Sequence, residues 1–222
     1  MYNDFIQALQ AQLQQPLPGR SSQEKMRPYL PMAPKMDIPQ LIKPREGAVM
    51  AVFYPVNGQP HLLLTERPVY AGTHSGQISL PGGKLEADET HLDAARRETW
   101  EEVGVHPDEL SVLGPLSKLY VPASNFNIQP FVAFADHQLN FRADEREVAT
   151  LLETPLDLFF GKDIVGEKMM PSALGMKLMA PYYDIYNRTL WGATAMIMSE
   201  LLQVINNSPQ DFYKLIEHGK NR

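Results

Sequence analysis

The stretch "PGGKLEADETHLDAARRETWEEVGV", residues 81–105, carries three glutamates, Glu98, Glu101 and Glu102, directly behind Arg97. Like charges three or four residues apart on a helix destabilise it by roughly 0.2–0.5 kcal/mol. No lysine or arginine stands four residues after Glu101 or Glu102 to offset this repulsion. The crowded charge therefore indicates either a solvated acidic face or a site that a cation completes.

The same stretch contains signals for the start and the end of a helix. Thr90 followed by Asp93 is typical of a capping box, and Gly104 is typical of a helix C-terminus. Together they predict a helix from near His91 to about Val103. The inward stripe of this helix would consist of Leu92, Ala95, Thr99 and Val103. At about 100° per residue, the three glutamates fall within an arc of about 100° beside that stripe.

Three carboxylates on neighbouring turns suit a hard divalent cation. Mg²⁺ takes oxygen ligands, and in enzymes it is usually held by a few carboxylates together with substrate phosphates. The preceding Pro81, Gly82 and Gly83 predict a sharp backbone turn that leaves carbonyls or amides open to a metal or a phosphate. The fixed distance from these glycines to the glutamates favours a metal site over a solvated face.

The composition of the whole chain limits the classes of function. The 222 residues are 44% apolar and 21% charged, as expected for a folded globular protein. The net charge of −6 disfavours binding to nucleic acid, which requires a basic surface. The absence of cysteine excludes thiolate chemistry and suits a cytoplasmic location. We expect no membrane association, because there is no leader pattern and no run approaching about 18 apolar residues.

Patterning divides the chain into an N-terminal extension, residues 1–44, and a main domain, residues 45–222. The extension would begin with an amphipathic helix, predicted from four apolar residues at helical spacing: Phe5, Ile6, Leu9 and Leu13. Residues 21–44 are rich in proline and have no period, so they predict an extended segment that wraps the body.

The main domain alternates strand-like runs with helical ones. The predicted strands lie at 47–55, 61–67, 76–83, 110–121, 128–136 and 179–187, and the predicted helices after residue 105 lie at 192–205 and 208–218. Asn57-Gly58 predicts a hairpin turn between the first two strands. We therefore expect an α/β fold of the α+β type, with helices packed against a mixed sheet.

Residues 83–105 resemble the Nudix box, the signature of Nudix hydrolases. Gly83 is followed after five residues by Glu89, and after seven more by "RETWEEVGV". Only Thr99 departs, standing where the family prefers a bulky aliphatic residue. The resemblance implies a Nudix-like α/β/α sandwich. It also implies hydrolysis of a pyrophosphate bond in a nucleoside diphosphate linked to another moiety, with Mg²⁺ or Mn²⁺ as cofactor.

The resemblance also implies roles for individual residues. Arg97 and Glu89 match a pair that forms a structural salt bridge. The implied metal ligands are the carboxylates of Glu98, Glu101 and Glu102, with the carbonyl of Gly82. A carboxylate must in addition accept a proton from the attacking water. The candidates for this base are Glu98, Glu147 and, more weakly, Glu145.

Upstream, "LLTERPVYAGTHSGQISLPGG", residues 63–83, resembles a motif of the coenzyme A pyrophosphatase branch of the family. Arg67 is in register with that motif. Pro68 and Leu80 depart from it, and Gly72 replaces an arginine that could meet a substrate phosphate. His74 or Lys84 could supply this missing cation. The candidate substrate-binding residues are therefore Arg67, His74 and Lys84.

Three functions follow from these patterns. The first is cleavage of coenzyme A or its thioesters to 3′,5′-ADP and 4′-phosphopantetheine or its acyl form. The second is hydrolysis of ADP-ribose or a nucleoside-diphosphate sugar, which is favoured if Gly72 signals a lost coenzyme A contact. The third is a Nudix-fold sensor that binds a nucleotide without turning it over; it would be expected to lack ligand glutamates or to carry a basic DNA-binding domain. The resemblance also implies a homodimer.

Overall fold

The computed structural model describes residues 1–31, 43–70, 75–171 and 175–208. Its helices are α1 (Tyr2–Leu13), α2 (Arg20–Gln23), α3 (His91–Val103) and α4 (Gly192–Asn206). Its strands are β1 (Arg45–Val56), β2 (Gln59–Glu66), β3 (Ile78–Ser79), β4 (Gly82–Lys84), β5 (Ser111–Pro115), β6 (Leu119–Val121), β7 (Phe126–Phe134), β8 (Thr150–Pro155), β9 (Val165–Pro171), β10 (Lys177–Ile185) and β11 (Arg188–Trp191). The final predicted helix, beyond Ser208, and the candidate residue His74 lie outside the described ranges.

A mixed eight-stranded sheet forms the centre of the described structure. β1 and β7 run parallel, with Arg45 opposite Phe126 at one end and Phe53 opposite Phe134 at the other. The remaining pairs are antiparallel: β2 and β4 with β1, β3 and β8 with β2, and β5 and β6 with β7. The predicted mixed sheet is therefore confirmed.

The residues of β1 alternate between two cores on opposite faces of this sheet. Met50 and Val52 pack on one face with Val103 of α3. Ala51 and Phe53 pack on the other face, in a core that contains buried residues of α1 and α4. Successive side chains of a strand point to opposite faces, so a strand covered on both sides becomes apolar throughout. This arrangement is the predicted α/β/α sandwich.

The N-terminal helix is confirmed, and its apolar stripe faces the core. The buried residues of α1 include all four that the spacing singled out: Phe5, Ile6, Leu9 and Leu13. The extended segment predicted from residue 21 is wrong at its beginning, because Arg20–Gln23 are helical and Glu24–Met26 continue as a 3₁₀ turn. This stretch contains no proline, so nothing in it prevents a helical turn. The division of the chain at residue 44 stays a prediction.

Of the two turns predicted around the first strands, one is confirmed and the other is wrong. The hairpin between β1 and β2 is confirmed, with positive φ angles of 51° at Asn57 and 74° at Gly58. The turn predicted at Gly82 and Gly83 is wrong, since both residues lie in β4 and pair with β1. Gly82 has a φ of 149°, and a Cβ there would collide with the backbone of β1. The glycine thus permits close strand pairing.

A second, three-stranded antiparallel sheet follows the first, in the order β11-β10-β9. Only β10 was predicted, because β9 is largely exposed and its sequence "VGEKMMP" lacks an apolar alternation. An ion pair links the two sheets, with Arg188 Nε 3.0 Å from Glu66 Oε2 of β2. The run predicted as one strand at 110–121 divides into β5 and β6.

A buried carboxylate joins the N-terminal segment to the last described helix. Glu200 of α4 is fully buried. It accepts hydrogen bonds from the backbone N–H groups of Gly19 and Ser117, both at 3.2 Å, and from the Gln23 side-chain amide at 2.8 Å. A buried charge is tolerated only when such donors replace water.

Within the described residues, no helix is long and apolar enough to cross a membrane.

We expect Glu200→Ala to lower the free energy of unfolding by about 3 kcal/mol, because three donors lose their acceptor inside the protein. Urea unfolding followed by circular dichroism measures this change. Gln203→Ala is the matched control on the same helix, since the Gln203 side chain accepts an exposed hydrogen bond from Lys25. We expect it to stay within about 0.5 kcal/mol of wild type. An unchanged unfolding midpoint for Glu200→Ala would contradict the role given to this carboxylate.

Candidate active site

Helix α3 presents the glutamates, and its ends are held as the sequence predicts. The Thr90 side chain accepts a hydrogen bond from the Asp93 N–H at 3.2 Å. Gly104 adopts the left-handed conformation, with a φ of 76°, and its N–H donates to the Trp100 carbonyl at 2.9 Å. Both contacts satisfy backbone groups that a helix end leaves open. The helix therefore begins at His91 and ends at Val103, as predicted.

Three carboxylates converge beside this helix. One oxygen from each of Glu98, Glu102 and Glu147 lies within 4.8 Å of the others. Glu102 is buried, Glu98 is half-buried and Glu147 is exposed, so the group forms a gradient from the core to solvent. Oxygen ligands at such spacing match the preference of a hard divalent cation.

Arg97 neutralises the solvent side of this cluster. Its guanidinium binds both oxygens of Glu89, at 2.9 and 3.0 Å, and also binds Glu98 and Glu101 at 2.9 Å each. Its remaining donor reaches the Lys84 carbonyl at 3.2 Å. The expectation of uncompensated charge is therefore wrong for Glu101, because the offsetting arginine stands four residues before it rather than after.

Glu102 is the most enclosed member of the cluster, with 3% of its side chain exposed. It accepts a hydrogen bond from the Gly82 N–H at 3.2 Å, and Arg67 Nη2 lies 3.6 Å from its other oxygen. Burial raises the pKa of Glu102 to about 7, and the negative charges of Glu98 and Glu147 act in the same direction. Burial also raises the pKa of Glu98, against the effect of Arg97.

Glu147 reaches the cluster from a loop that is docked on the end of α3. The backbone N–H of Arg142 donates to the Val103 carbonyl at 2.9 Å, and that of Asp144 donates to the Glu102 carbonyl at 3.0 Å. These bonds satisfy carbonyls in the last turn of the helix. The buried Val148 then anchors the chain directly after Glu147. Glu147 is thus held beside α3 although it lies far along the chain.

Gly83 makes room for Glu98. A Cβ built on Gly83 would overlap the Glu98 carboxylate, whereas the backbone conformation of Gly83 itself suits any residue. The absence of a side chain therefore brings Glu98 directly against β4, next to the Gly82 N–H that binds Glu102. Each glycine of the pair has its own task, Gly82 in strand pairing and Gly83 in seating the carboxylate.

Not every residue predicted for the site belongs to this group of three. Glu101 is 56% exposed and paired with Arg97, so it lies outside the group, and its role as a metal ligand stays a prediction. Lys84 contributes its carbonyl to Arg97, while its side chain is exposed. Glu145 is exposed and is not among the clustered carboxylates. The contact between Arg67 and Glu102 was not predicted, because Arg67 was assigned to the substrate.

Comparison with known proteins places this geometry in a family. Residues 44–160, slightly more than half of the chain, match the NUDIX domain. The chain belongs to the Nudix family. A protein named "Uncharacterized Nudix hydrolase NudL" from Pectobacterium atrosepticum is 32% identical over 182 residues, which are 79% of this chain and 92% of that protein. "Nudix hydrolase 3" from Caenorhabditis elegans is 26% identical over 218 residues, or 88% of each chain.

The fold of the chain is also that of a solved Nudix structure. A MutT/nudix family protein from Enterococcus faecalis superposes with a TM-score of 0.51 and 17% identity, over 82% of this chain and 71% of that one. The family and its named hydrolases make this chain an enzyme, a Nudix pyrophosphohydrolase that acts on small nucleotide substrates. The sensor hypothesis is set aside, since the named relatives are hydrolases and the glutamates that such a module would be expected to lack are present, two of them, Glu98 and Glu102, in the cluster.

The one departure from the Nudix box is accommodated within α3. Thr99 is fully buried in place of the aliphatic residue that the family prefers. Its hydroxyl donates to the Ala95 carbonyl one turn earlier, at 2.6 Å. A buried hydroxyl with a partner costs little. The substitution therefore alters packing in the helix and leaves the carboxylates in place.

We expect Glu102 to make the stability of the metal-free enzyme depend on pH. Its pKa is about 7 in the folded protein, against an ordinary value of 4.5. Between these two pH values the folded state binds more protons than the unfolded state. The free energy of unfolding therefore falls as the pH rises through this window. As the pH rises from about 5 to about 8, the free energy of unfolding of wild type should fall by about 2 kcal/mol more than that of Glu102→Gln.

Urea unfolding in EDTA at each pH measures this difference. Glu101→Gln is the matched control, because the exposed Glu101 lies one residue away on the same helix. Its dependence on pH should follow that of wild type. The same pH dependence in Glu102→Gln and wild type would show that burial of Glu102 does not control the effect.

Proposed function

We propose that this enzyme is a Mg²⁺- or Mn²⁺-dependent pyrophosphohydrolase that cleaves coenzyme A or its thioesters. The observation that carries the metal site is the convergence of Glu98, Glu102 and Glu147 within 4.8 Å beside the Nudix helix. Nudix hydrolases generally use divalent metals, and this donor set consists of the hard oxygen ligands that such ions prefer. Glu101 and the Gly82 carbonyl remain proposed ligands at the edges of the group.

The charges of the substrate explain why the site needs these residues. A bound divalent ion neutralises phosphate oxygens and lowers the pKa of a bound water. Glu98 and Glu102 would hold such an ion, and their positions are set by Arg97 and by the Gly82 N–H. The attacking water then displaces one phosphate from the other in line, and the leaving phosphate departs with the nucleotide or with the pantetheine part.

We propose Glu147 as the base that accepts the proton of the attacking water. Within the described residues it takes part in no ion pair, whereas Glu98 accepts a hydrogen bond from Arg97. Glu147 is also exposed, so a proton that it accepts can pass to bulk water. A base needs reach to the water and a route for its proton; the place of Glu147 in the carboxylate cluster supports the first, and its exposure supports the second.

The choice of coenzyme A rests on residues 63–83, which resemble the motif of that branch. Arg67, the residue in register with the motif, lies beside Glu102, where a cation could also meet a substrate phosphate. The departure at Gly72 supports the second candidate, ADP-ribose or a nucleoside-diphosphate sugar. Both candidates share a nucleoside diphosphate, so the carboxylate cluster serves either one.

A substrate panel separates the two candidates. The purified enzyme is incubated with coenzyme A, acetyl-coenzyme A, ADP-ribose and a nucleoside-diphosphate sugar, in Mg²⁺, in Mn²⁺ and in EDTA, and the products are identified by mass. We expect 3′,5′-ADP and 4′-phosphopantetheine from coenzyme A with either metal and no product in EDTA. Intact coenzyme A together with cleaved ADP-ribose would refute the proposed substrate and leave the metal-dependent hydrolysis standing.

Two neighbouring glutamates test the assignment of the base. We expect Glu147→Gln to lower kcat by about 100-fold or more, the usual contribution of a positioned base. Glu145→Gln is the matched control, because Glu145 lies on the same loop, is exposed and stands outside the cluster. It should keep wild-type kcat. A kcat for Glu147→Gln within about threefold of wild type would move the role to Glu98.

A further inference from the structure

Arg67 lies where three segments of the site meet. It directly follows β2, and its N–H donates to the Gln77 carbonyl at 3.0 Å, which closes the base of the loop between β2 and β3. The carbonyl of the preceding Glu66 accepts from the Ala149 N–H at 2.8 Å, in the segment that follows Glu147. The backbone of Arg67 is therefore fixed by hydrogen bonds on two sides, whereas its side chain can leave Glu102 for another partner.

The two arginines of the site are held very differently. Arg97 uses all parts of its guanidinium on Glu89, Glu98, Glu101 and the Lys84 carbonyl, at 2.9 to 3.2 Å. Among the residues that the structure describes, Arg67 makes one ion pair, at 3.6 Å, which is longer than a hydrogen bond, and 30% of its side chain is exposed. Moving Arg97 would break a network, whereas moving Arg67 breaks one loose contact.

We propose that Arg67 is a positioning residue that neutralises Glu102 in the metal-free enzyme and gives up this contact when the metal site fills. The proposal rests on the metal site described under the proposed function. Glu102 is almost wholly buried, and two other carboxylates lie within 4.8 Å of it. Without a cation nearby, this buried charge would be strongly unfavourable. Arg67 is the arginine that ion-pairs with it in the described part of the chain.

The exchange follows from charge. A divalent ion held by Glu98 and Glu102 would repel the guanidinium beside Glu102, because both would be cations at close range. The released side chain remains tethered at the end of β2, where it can turn toward a phosphate of the substrate. Arginine suits this second task because its planar fork matches phosphate oxygens. Arg67 thus serves first as a substitute for the metal and then as a partner for the substrate.

The first test measures Mn²⁺ affinity without substrate, by titration calorimetry at about pH 8.5. We expect Arg67→Gln to bind Mn²⁺ about fivefold more tightly than wild type, the size expected for loss of one competing ion pair that is partly open to solvent. Arg67→Lys keeps the charge and should stay near wild type. A merely structural role for Arg67 predicts the opposite sign, because loosened carboxylates would bind the metal more weakly.

The second test measures unfolding temperature. In EDTA, Arg67→Gln should unfold at a lower temperature than wild type, and saturating Mn²⁺ should remove the difference. Arg188→Gln is the matched control, since it removes the adjacent ion pair to Glu66 and leaves Glu102 untouched; its Mn²⁺ affinity should equal that of wild type. Unchanged or weaker Mn²⁺ binding by Arg67→Gln would overturn the proposal. Wild-type protein that binds no Mn²⁺ and cleaves no pyrophosphate would instead overturn the metal site itself.

Discussion

The site depends on holding the carboxylates of Glu98, Glu102 and Glu147 closer together than their charges favour. At 4.8 Å, two ionised carboxylates repel each other by on the order of 3 kcal/mol at an effective dielectric constant of about 20. The packing of α3 against the sheet and the docked loop beyond Arg142 oppose this repulsion. The rigid sandwich is thus a precondition for the chemistry, because a looser scaffold would let the charges separate.

The groups that offset the negative charge of the cluster lie on two of its sides, and one side is held more rigidly than the other. Arg97 fastens the outer side to Glu89 and to the backbone of β4, so the helix and the strand keep a constant distance. The inner side rests on the Gly82 N–H and on the loosely paired Arg67. The side of the site held by Arg97 is therefore rigid and opposes the repulsion between the carboxylates. The side next to Arg67 can rearrange when a ligand binds.

Local signals in the sequence predict the framework of the site. The long-range contacts of the site could not be predicted from such signals. The caps of α3 at Thr90 and Gly104 and the hairpin at Asn57-Gly58 follow from residues close together in the chain. The meeting of Glu147 with the helix depends on a loop whose backbone bonds to α3 leave no mark in the residue pattern. Strand β9 was missed for a related reason, since its pairing with β10 stabilises a segment with little apolar content.

The buried Glu200 sets an order of events during synthesis on the ribosome. The donors that satisfy it, at Gly19, Gln23 and Ser117, emerge long before the helix that carries it. Helix α1 packs against β1, where the rings of Phe5 and Phe53 lie 5.2 Å apart, and it shares its core with α4, so its apolar stripe is fully covered only once α4 has been made. Part of the hydrophobic stripe of α1 therefore stays open to chaperones on the nascent chain until α4 has been made.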